Sequence, residues 1–261
     1  MVISFSKYQG AGNDFILIDN RNNVFQSRKA EFIAKLCDRR FGIGGDGLML
    51  LQEKEGWDFE MVYYNADGNL GSMCGNGGRC IAAFARRLGI AKEETNFLAV
   101  DGPHYAKISD SGDWVSLKMI DVDTVKTDKD AFILNTGSPH YVRCVHNLSE
   151  KDIYTEGKAI RNSEPFVKEG INVNFIEDFG EHYFVRTYER GVEDETFACG
   201  TGVTASAMAM AMMKGMRGEI NIPVRVLGGN LNIRFHYDGT VYSRVYLEGP
   251  AQFVFEGTIA V

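Results

Sequence analysis

The chain has 261 residues, of which 44% are hydrophobic and 24% are charged. These fractions are ordinary for one large or two modest globular domains, and they exclude disordered and fibrous classes. The net charge of −7 argues against a nucleic-acid partner, because phosphate neutralisation needs clustered lysine and arginine. The five cysteines are too few for a disulfide scaffold, whereas the 29 glycines exceed ordinary usage and require an explanation.

Residues 1–15 show no basic start followed by a long apolar core, so we predict no secretory signal. The longest stretch of small apolar residues, 203–213, is well short of the roughly 20 residues that a membrane-spanning helix needs. Cysteine thiols without an export signal fit a reducing compartment. We therefore expect a cytoplasmic protein with no membrane partner.

Short segments in which apolar and polar residues alternate predict strands, and a few segments show helical spacing instead. In chain order, the prediction is strands at 3–8 and 15–19, a helix at 29–39, strands at 48–51 and 59–64, a helix at 77–88, strands at 114–119 and 132–134, a weaker helix at 148–155, a strand at 183–188, a helix at 201–213, and strands at 231–235 and 241–247. Strands outnumber helices without alternating regularly with them, so the expected fold class is α+β with antiparallel or mixed sheets.

One local pattern occurs twice. Cys-Gly-Asn-Gly begins at Cys74 and Cys-Gly-Thr-Gly begins at Cys199, 125 positions later (199 − 74), and each opens an alanine-rich helix. Two further pairs of short segments lie at nearly the same offset, which favours two similar halves. We predict a first half at 1–120 and a second half at 121–252, with the tail at 253–261 returning to the first.

Several familiar motifs fail on context or spacing. Residues 42–47 satisfy G-x-G-x-x-G, but a predicted helix precedes them and a predicted strand follows, which inverts the dinucleotide-binding arrangement. There is no C-x-x-C, and the five histidines are scattered, so we predict no metal site. Cys37, Cys80 and Cys144 are interpreted as small buried apolar residues.

Cys74 and Cys199 differ from the other cysteines because each stands immediately before Gly-x-Gly at the predicted start of a helix. A helix N-terminus offers N–H donors and a partial positive charge, which bind a carboxylate and favour a thiolate. The bare glycines let an anion approach those amides. Two such thiols in similar halves suggest that one removes a proton from one face of a carbon while the other delivers a proton to the opposite face.

Five parts of the chain together resemble the diaminopimelate epimerase family, and the resemblance runs nearly end to end. They are KYQGAGNDF at 7–15, RFGIGGDG at 40–47, YNADG at 64–68 with MCGNG at 73–77, GINVNF at 170–175, and YERGV at 188–192 with ACGTG at 198–202. The resemblance implies an α+β fold of two pseudo-symmetric halves, each a mixed β-sheet or barrel wrapped around a central helix, with the active site between them.

The same resemblance implies a homodimeric enzyme that interconverts LL- and meso-diaminopimelate in lysine and peptidoglycan precursor biosynthesis. Its small-molecule substrate would be epimerised without pyridoxal phosphate or any other cofactor. Carried over position by position, Cys74 and Cys199 are the acid/base pair. The implied substrate contacts are Gly75, Asn76, Gly200 and Thr201 for the reacting carboxylate, Asn13, Asn65 and Asn172 as binding asparagines, Glu189 and Arg190 for the distal ammonium and carboxylate, and His140 near the cysteines.

Two positions depart from the family pattern. Ser138 stands where the family commonly has asparagine before Pro-His, and Gly47 stands where some relatives carry glutamine. Both differences bear on substrate affinity more than on the type of reaction.

Three other interpretations remain open at this stage. A two-thiol proline or hydroxyproline racemase is the nearest, but such proteins usually show histidine after Cys-Gly, where this chain has Asn76. A non-catalytic binder of small anions would need the helix ends but leaves the second cysteine unexplained. Two thiols could also form a redox pair, although we expect that oxidation to inactivate the protein.

Overall fold

The computed structural model describes residues 2–25 and 29–260, so Met1, residues 26–28 and the last residue of the predicted tail, Val261, lie outside the described residues. The chain divides into two compact units. The first comprises the described residues through Leu117 together with those from Gly249 onward, and the second spans Lys118–Glu248.

The elements are numbered here in chain order. The helices are α1 (Ala30–Cys37), α2 (Gly75–Arg87), α3 (Ile153–Arg161) and α4 (Gly200–Met213), with a 3₁₀ turn at Leu148–Glu150. The strands are β1 (Val2–Gly10), β2 (Asn13–Asp19), β3 (Gly47–Gln52), β4 (Phe59–Asn65), β5 (Glu94–Ala99), β6 (Gly102–Ile108), β7 (Trp114–Lys118), β8 (Val125–Asp128), β9 (Ala131–Asn135), β10 (Pro139–Cys144), β11 (Asn172–Asp178), β12 (Tyr183–Glu189), β13 (Asp194–Thr196), β14 (Gly218–Val226), β15 (Gly229–Tyr237), β16 (Tyr242–Pro250) and β17 (Gln252–Ala260).

The first unit is a mixed sheet packed around α2. Its strands pair in the order β17-β1-β2-β3-β4-β5-β6-β7, with β2–β3 and β4–β5 parallel and the other pairs antiparallel. The helix α2 contacts β1, β2, β3, β6 and β17, and its residues 75–85 are all buried. A helix that is buried along most of its length must have strands on several sides.

The second unit repeats this arrangement. Its strands pair in the order β8-β9-β10-β11-β12-β14-β15-β16, again with the third and fifth pairs parallel, and β13 adds a hairpin to β12. The helix α4 contacts strands on several sides, and its residues 202–211 are all buried. The predicted α+β class, with a mixed sheet wrapped around a central helix in each half, is confirmed.

The repeat extends to strand register. In the first unit Phe15 pairs with Gly47 between parallel strands, and in the second His140 pairs with Asn172, so both partners shift by the same offset of 125. Equal register on both sides of a parallel pair is hard to reach by chance, because a slip of one residue would turn every side chain to the other face.

Each central helix approaches one strand closely through a glycine in its first turn. A Cβ atom on Gly77 would lie 2.2 Å from Cε of Met49, and a Cβ atom on Gly202 would lie 2.2 Å from Oδ1 of Asn174. These glycines let the backbone of the helix start lie directly on β3 in one unit and on β11 in the other. The excess of glycine noted in the sequence is thus explained in part by helix–sheet packing.

The shorter helices close the outer side of each sheet. In the first unit Ile33 and Leu36 of α1 pack with Ile16 and Leu48 in one buried cluster. In the second, Ile153 of α3 belongs to a buried cluster that also contains Tyr188. Burying each such aliphatic side chain stabilises the folded state by about 1.5–3 kcal/mol.

Each predicted strand and the three stronger helices are present, with ends shifted by a few residues. The weaker helix predicted at 148–155 is correct only in part: residues 148–150 form a 3₁₀ turn, and residues 153–155 open α3, which continues to Arg161. The side chain of Asp152 accepts a hydrogen bond from the N–H of Thr155 at 3.0 Å and so starts α3 after a break. Strands that the sequence pattern did not indicate include β5, β6, β8, β13 and β14. Their formation depends on distant pairing partners more than on local residue preference.

Gly157 of α3 provides a test of this packing. Replacing a helical glycine with alanine ordinarily stabilises a helix by about 1 kcal/mol. Here the new Cβ would lie 2.4 Å from Cβ of Tyr188, so we expect Gly157→Ala to destabilise the protein by about 1–3 kcal/mol. Urea unfolding measures the change. Ala159→Ser, on the exposed side of the same helix, should stay within about 0.5 kcal/mol, and a stabilised Gly157→Ala variant would contradict the packing.

Candidate active site

Cys74 and Cys199 occupy equivalent positions, each immediately before a central helix. Cys74 precedes α2 with φ −106° and ψ 126°, and Cys199 precedes α4 with φ −106° and ψ 106°. Their carbonyl oxygens accept the first helical hydrogen bonds, from the N–H of Gly78 at 2.7 Å and of Val203 at 2.9 Å. Each cysteine therefore stands at the helix end that carries outward N–H groups and partial positive charge.

The other three cysteines have different surroundings. Burial raises the pKa of Cys37 to about 11 and that of Cys80 to about 12, and it also raises the pKa of Cys144. Cys37 and Cys80 are buried as expected, whereas Cys144 is only partly buried. None of the five cysteines, all of which lie among the described residues, is in a disulfide. The three thiols away from the helix starts thus stay protonated near neutral pH and contribute to packing.

A chain of hydrogen bonds runs from the first turns of α2 to the start of β2. The Nη2 atom of Arg79 donates to Oδ1 of Asn76 at 2.9 Å, and Nδ2 of Asn76 donates to Oδ1 of Asn13 at 2.6 Å. The Nδ2 atom of Asn13 donates in turn to Oδ2 of Asp46 at 2.9 Å. Two of the predicted substrate-binding residues are therefore in direct contact at the helix start that Cys74 precedes.

At the Asp46 end of this hydrogen-bond network, Arg39 and Lys7 bind neighbouring carboxylates. The Nη2 atom of Arg39 lies 2.6 Å from Oδ1 of Asp14 and 2.7 Å from Oδ1 of Asp46, and Nζ of Lys7 lies 2.7 Å from Oδ2 of Asp14. Burial raises the pKa of Asp14, but the bonds from Arg39 and Lys7 outweigh it and hold that pKa below its ordinary value. The glycine-rich segment 42–47 thus carries the carboxylate that anchors Asn13.

Asn65 lies on an exposed turn at the end of β4, where it pairs across the ladder with Gly47. Its carbonyl oxygen accepts a hydrogen bond from the N–H of Gly68 at 2.9 Å. A Cβ atom on Gly47 would lie only 2.4 Å from Cε2 of Tyr63. The tyrosine ring therefore fills the space that a side chain at position 47 would need, which gives a physical reason for glycine at this departure from the family pattern.

His140 is fully buried in β10, against the side chain of Asn174. Its Nδ1 atom lies 3.1 Å from Nδ2 of Asn174, which also donates to the carbonyl oxygen of Tyr141 at 3.0 Å, while Thr187 donates to Oδ1 of Asn174 at 3.0 Å. Burial lowers the pKa of His140 to about 3, and the charge of Arg190 acts in the same direction. The imidazole is therefore neutral near pH 7, with Nδ1 accepting and the proton on Nε2. Among the described residues, Nε2 has no hydrogen-bond partner.

Asn172 is buried at the start of β11 and connects two loops. Its Nδ2 atom donates to Oγ of Ser138 at 2.9 Å and to the carbonyl oxygen of Pro139 at 3.1 Å. Its Oδ1 atom accepts from the backbone N–H of Arg190 at 2.9 Å. The side chain thus ties the segment before β10 to the end of β12, and the serine at position 138 takes part in that contact.

Glu189 ends β12, and Arg190 follows it in the turn toward β13. The Oγ1 atom of Thr196 donates to Oε1 of Glu189, and Nη1 of Arg190 donates to the carbonyl oxygen of Glu169 at 3.0 Å. In these two bonds, Glu189 contacts a residue of β13 and Arg190 contacts the segment before β11. Arg190 is exposed, so its guanidinium remains accessible.

Threonine hydroxyl groups donate hydrogen bonds to the carbonyl oxygens at the start of α4. Thr136 donates to the carbonyl oxygen of Thr201 at 2.8 Å, and Thr204 donates to that of Gly200 at 2.9 Å. The Sγ atom of Cys199 lies 3.6 Å from Oγ1 of Thr201. The N–H groups of Gly200 and Thr201 belong to the first turn and have no acceptor within the helix.

Across residues 2–25 and 29–260, no group of three or more His, Cys, Asp or Glu side chains could hold a metal ion. Over the same residues, none of the helices combines the length and the apolar character needed to cross a membrane.

Sequence reasoning missed Arg79 and Asn174. The signal for Arg79 was a charged residue within the alanine-rich segment that follows Cys74, which is predicted to be a buried helix. Arginine is seldom fully buried without partners, so its presence there indicates a polar contact. Asn172 and Asn174 are two positions apart in one strand, so both point to the same face, and that spacing could have revealed the second asparagine. Asp46 was noted only as part of the rejected glycine motif.

The fold is shared with solved structures of other proteins. A phenazine biosynthesis protein of the PhzF family from Bacillus anthracis aligns over 100% of both chains with a TM-score of 0.78 and 14% identity. A hydroxyproline epimerase from Agrobacterium vitis aligns over 100% of this chain and 93% of its own, with a TM-score of 0.69 and 14% identity. The chain is thus a protein of this shared α+β fold, with a cysteine before each central helix.

Sequence comparison is more specific. A family model described as diaminopimelate epimerase matches residues 5–125 and 132–254. A diaminopimelate epimerase from Flavobacterium psychrophilum is 50% identical over 97% of this chain and 98% of its own length. Another from Chlorobaculum tepidum is 41% identical over 97% of this chain and 99% of its own. The chain belongs to the diaminopimelate epimerase family.

The buried His140 should make stability depend on pH. Because the pKa of His140 falls to about 3 in the folded state, the unfolded state binds one more proton between that pH and about 6.5. The contribution of the neutral His140 side chain to the free energy of unfolding is complete above pH 6.5 and is lost progressively as pH falls toward 3. Between pH 7 and pH 5 we expect the unfolding free energy of the wild type to drop by about 2 kcal/mol more than that of His140→Gln. Urea titrations of both proteins test this, and parallel decreases would contradict the neutral imidazole.

Proposed function

We propose that the protein interconverts LL- and meso-diaminopimelate without an organic cofactor, as an epimerase of lysine and peptidoglycan precursor biosynthesis. The observation that carries this proposal is 50% identity, over 97% of the chain, to a diaminopimelate epimerase. The cysteine before each of the two buried central helices supports the same reaction.

The two thiols act in turn. The thiolate of one cysteine takes the α-proton, so that a C–H bond breaks and an S–H bond forms, and the thiol of the other gives its proton to the opposite face of the carbon. In the reverse direction, Cys74 and Cys199 exchange these roles. The mechanism requires both thiols to reach the same α-carbon from opposite faces, and this requirement is part of the proposal.

The two helix starts bind the reacting end of the substrate. The N–H groups of Gly75, Asn76, Gly200 and Thr201 are first-turn donors, and we assign them to the α-carboxylate. Negative charge on that carboxylate grows as the α-proton leaves, so donors that are already in place stabilise the transition state more than the ground state. The same partial positive charge favours the thiolate form of the cysteine that acts as base.

The side chains at the strand ends recognise the distal end. Asn13, Asn65 and Asn172 would contact the substrate, with Glu189 for the ammonium and Arg190 for the second carboxylate. The described bonds of Asn172 use both of its N–H groups and one lone pair, so one lone pair is left to accept from an ammonium group. Asn172 would thus serve mainly to hold Ser138 and Arg190 in place.

His140 contributes in its neutral form. It contacts Asn174, whose Oδ1 lies at the position that a side chain on Gly202 would fill. We therefore assign His140 to positioning the second helix start. As an uncharged group it leaves the electrostatics of that helix start to the backbone N–H groups.

We further propose that the protein acts in the cytoplasm as a homodimer, and that its functional halves are 1–120 with 253–261, and 121–252. The family resemblance supports the dimer, and five cysteines outside any disulfide fit a reducing compartment. A proline or hydroxyproline racemase is not favoured, because Asn76 follows Cys-Gly and because the chain carries Glu189 and Arg190 for a long zwitterion. A non-catalytic anion binder leaves the second thiol without a role.

Solvent exchange tests the substrate and the reaction together. Incubated in D₂O with reductant and without added cofactor, LL-diaminopimelate should acquire α-deuterium and convert to the meso form, because each turnover delivers a proton taken from solvent. Proton NMR and chiral chromatography measure the two changes. LL-diaminopimelate that binds without exchange would indicate a binder, and exchange of proline instead would indicate the racemase.

Single-cysteine variants test the two-base mechanism. Cys74→Ala and Cys199→Ala should each reduce epimerisation by at least about 10³-fold, because each removes one of two proton-transfer groups. Cys144→Ala is the matched control, since Cys144 lies in β10 with a raised pKa, and it should keep the wild-type rate. Full activity in either helix-start variant would contradict the two-base mechanism, whereas equal loss in all three would point to misfolding.

A further inference from the structure

Glu193 lies in the turn between β12 and β13 and holds that turn with four hydrogen bonds. Its N–H donates to the carbonyl oxygen of Glu189 at 2.8 Å, and its Oε1 atom accepts from the N–H of Gly191 at 3.1 Å. The same Oε1 atom accepts from Nε of Arg161, the last residue of α3, at 3.1 Å, and Oε2 accepts from the hydroxyl group of Tyr188 at 3.2 Å. The side chain of Glu193 thus joins the turn to the strand before it and to α3.

The backbone of Glu193 shows that these bonds offset a local cost. The residue has φ 58°, in the left-handed region that residues with a Cβ atom rarely adopt. The N–H of Gly191 holds the pKa of Glu193 below its ordinary value, and Arg161 acts in the same direction, so the carboxylate is charged near neutral pH. An unfavourable backbone conformation combined with four bonds indicates that the turn is held in one specific shape.

Arg190 belongs to the turn that Glu193 holds. The N–H of Arg190 donates to Oδ1 of Asn172 at 2.9 Å, and its Nη1 atom donates to the carbonyl oxygen of Glu169 at 3.0 Å. Both acceptors lie on the chain just before and at the start of β11, outside the turn. The position of the guanidinium relative to them therefore depends on the shape of the turn.

Two arginines lie against Gly170, and Glu193 distinguishes between them. A Cβ atom on Gly170 would lie 2.8 Å from Cδ of Arg190 and 2.9 Å from Nη2 of Arg161. Arg161 is paired with Glu193, whereas Arg190 forms no ion pair within the part of the chain that the structure describes. The turn thus presents one guanidinium that has no carboxylate of its own, and such a group binds the carboxylate of a ligand well.

The matching turn of the first unit is built without these contacts. Asn65 at the end of β4 matches Glu189 at an offset of 124 (189 − 65), and Ala66 follows where the second unit has Arg190. The N–H of Gly68 closes that turn by donating to the carbonyl oxygen of Asn65 at 2.9 Å. The fold itself therefore does not require an arginine in this turn or an ion pair that holds it.

We propose that Glu193 is a positioning residue for Arg190 and thereby for recognition of the distal carboxylate of the substrate. The inference rests on the proposed function, in which Arg190 binds that carboxylate. Glu193 itself touches no substrate atom. It keeps Arg161 paired and the turn closed, so that the guanidinium of Arg190 meets the carboxylate from a fixed direction.

Kinetics of three variants test the inference. Glu193→Gly removes the carboxylate but suits the left-handed backbone, and it should raise KM for LL-diaminopimelate about fivefold or more with a smaller change in kcat. Glu193→Gln keeps an oxygen that can accept from Gly191 and Arg161, and we expect it to recover most of that loss. In Arg190→Met, adding Glu193→Gly should change KM less than about twofold, because Glu193 acts through the missing guanidinium.

Lys129→Gly is the matched control. Lys129 lies in the turn between β8 and β9 of the same unit and has φ 53°, so the variant makes the same kind of backbone change away from the proposed site. It should leave KM and kcat unchanged. A KM in folded Glu193→Gly equal to that of the wild type would overturn the proposal. A rise matched by Lys129→Gly, or one that persists in full in the Arg190→Met background, would overturn it as well.

A crystal structure of Glu193→Gly without substrate separates this inference from the proposed function. We expect the guanidinium of Arg190 to leave the carbonyl oxygen of Glu169, with loss of the 3.0 Å contact. An unchanged contact would overturn the positioning role even if the wild type epimerises diaminopimelate. A wild type that fails to epimerise would overturn the proposed function, while the structure of the variant would still decide whether Glu193 positions Arg190.

Discussion

The first turn of each central helix lies against one strand through a glycine, and the arrangement of both units depends on that contact. Gly202 lies over Asn174, where a Cβ atom would be 2.2 Å from Oδ1, and Gly77 lies over the flexible end of Met49. Because the helix backbone sits directly on the strand, the residue just before it is held at a defined place. Cys74 and Cys199 occupy those places with nearly equal backbone angles.

The cost of this contact is that polar groups become buried at the helix starts, and each unit satisfies them differently. The first unit uses a run of side chains that begins with a cation and ends with a carboxylate, Arg79 and Asp46. The second uses the neutral imidazole of His140 together with Asn174 and Thr187. The two similar units thus carry two different polar environments at their helix starts.

The ionisation of a cysteine thiol in this protein depends on where the cysteine lies in the fold. Cys37, Cys80 and Cys144 have raised pKa values because burial disfavours the thiolate. The two cysteines at helix starts stand at the positive end of a helix dipole, a position that in general favours a thiolate. Position relative to a helix, more than the identity of the residue, separates the proposed acid/base pair from the packing thiols.

The sequence by itself determined the α+β class, the repeat at an offset of 125 and the placement of two cysteines before glycine-rich helices. Those features are local: alternation, glycine spacing and residue order survive in one dimension. The tertiary structure alone decided the pairing of strands such as β5, β13 and β14, the burial of His140, and the bonds that join Arg79, Asn76, Asn13 and Asp46. Asn13 and Asn76 are 63 positions apart, so their contact exists only once β2 lies beside α2. The physical reason is that hydrogen-bond direction and desolvation depend on neighbours in space, which no local pattern records.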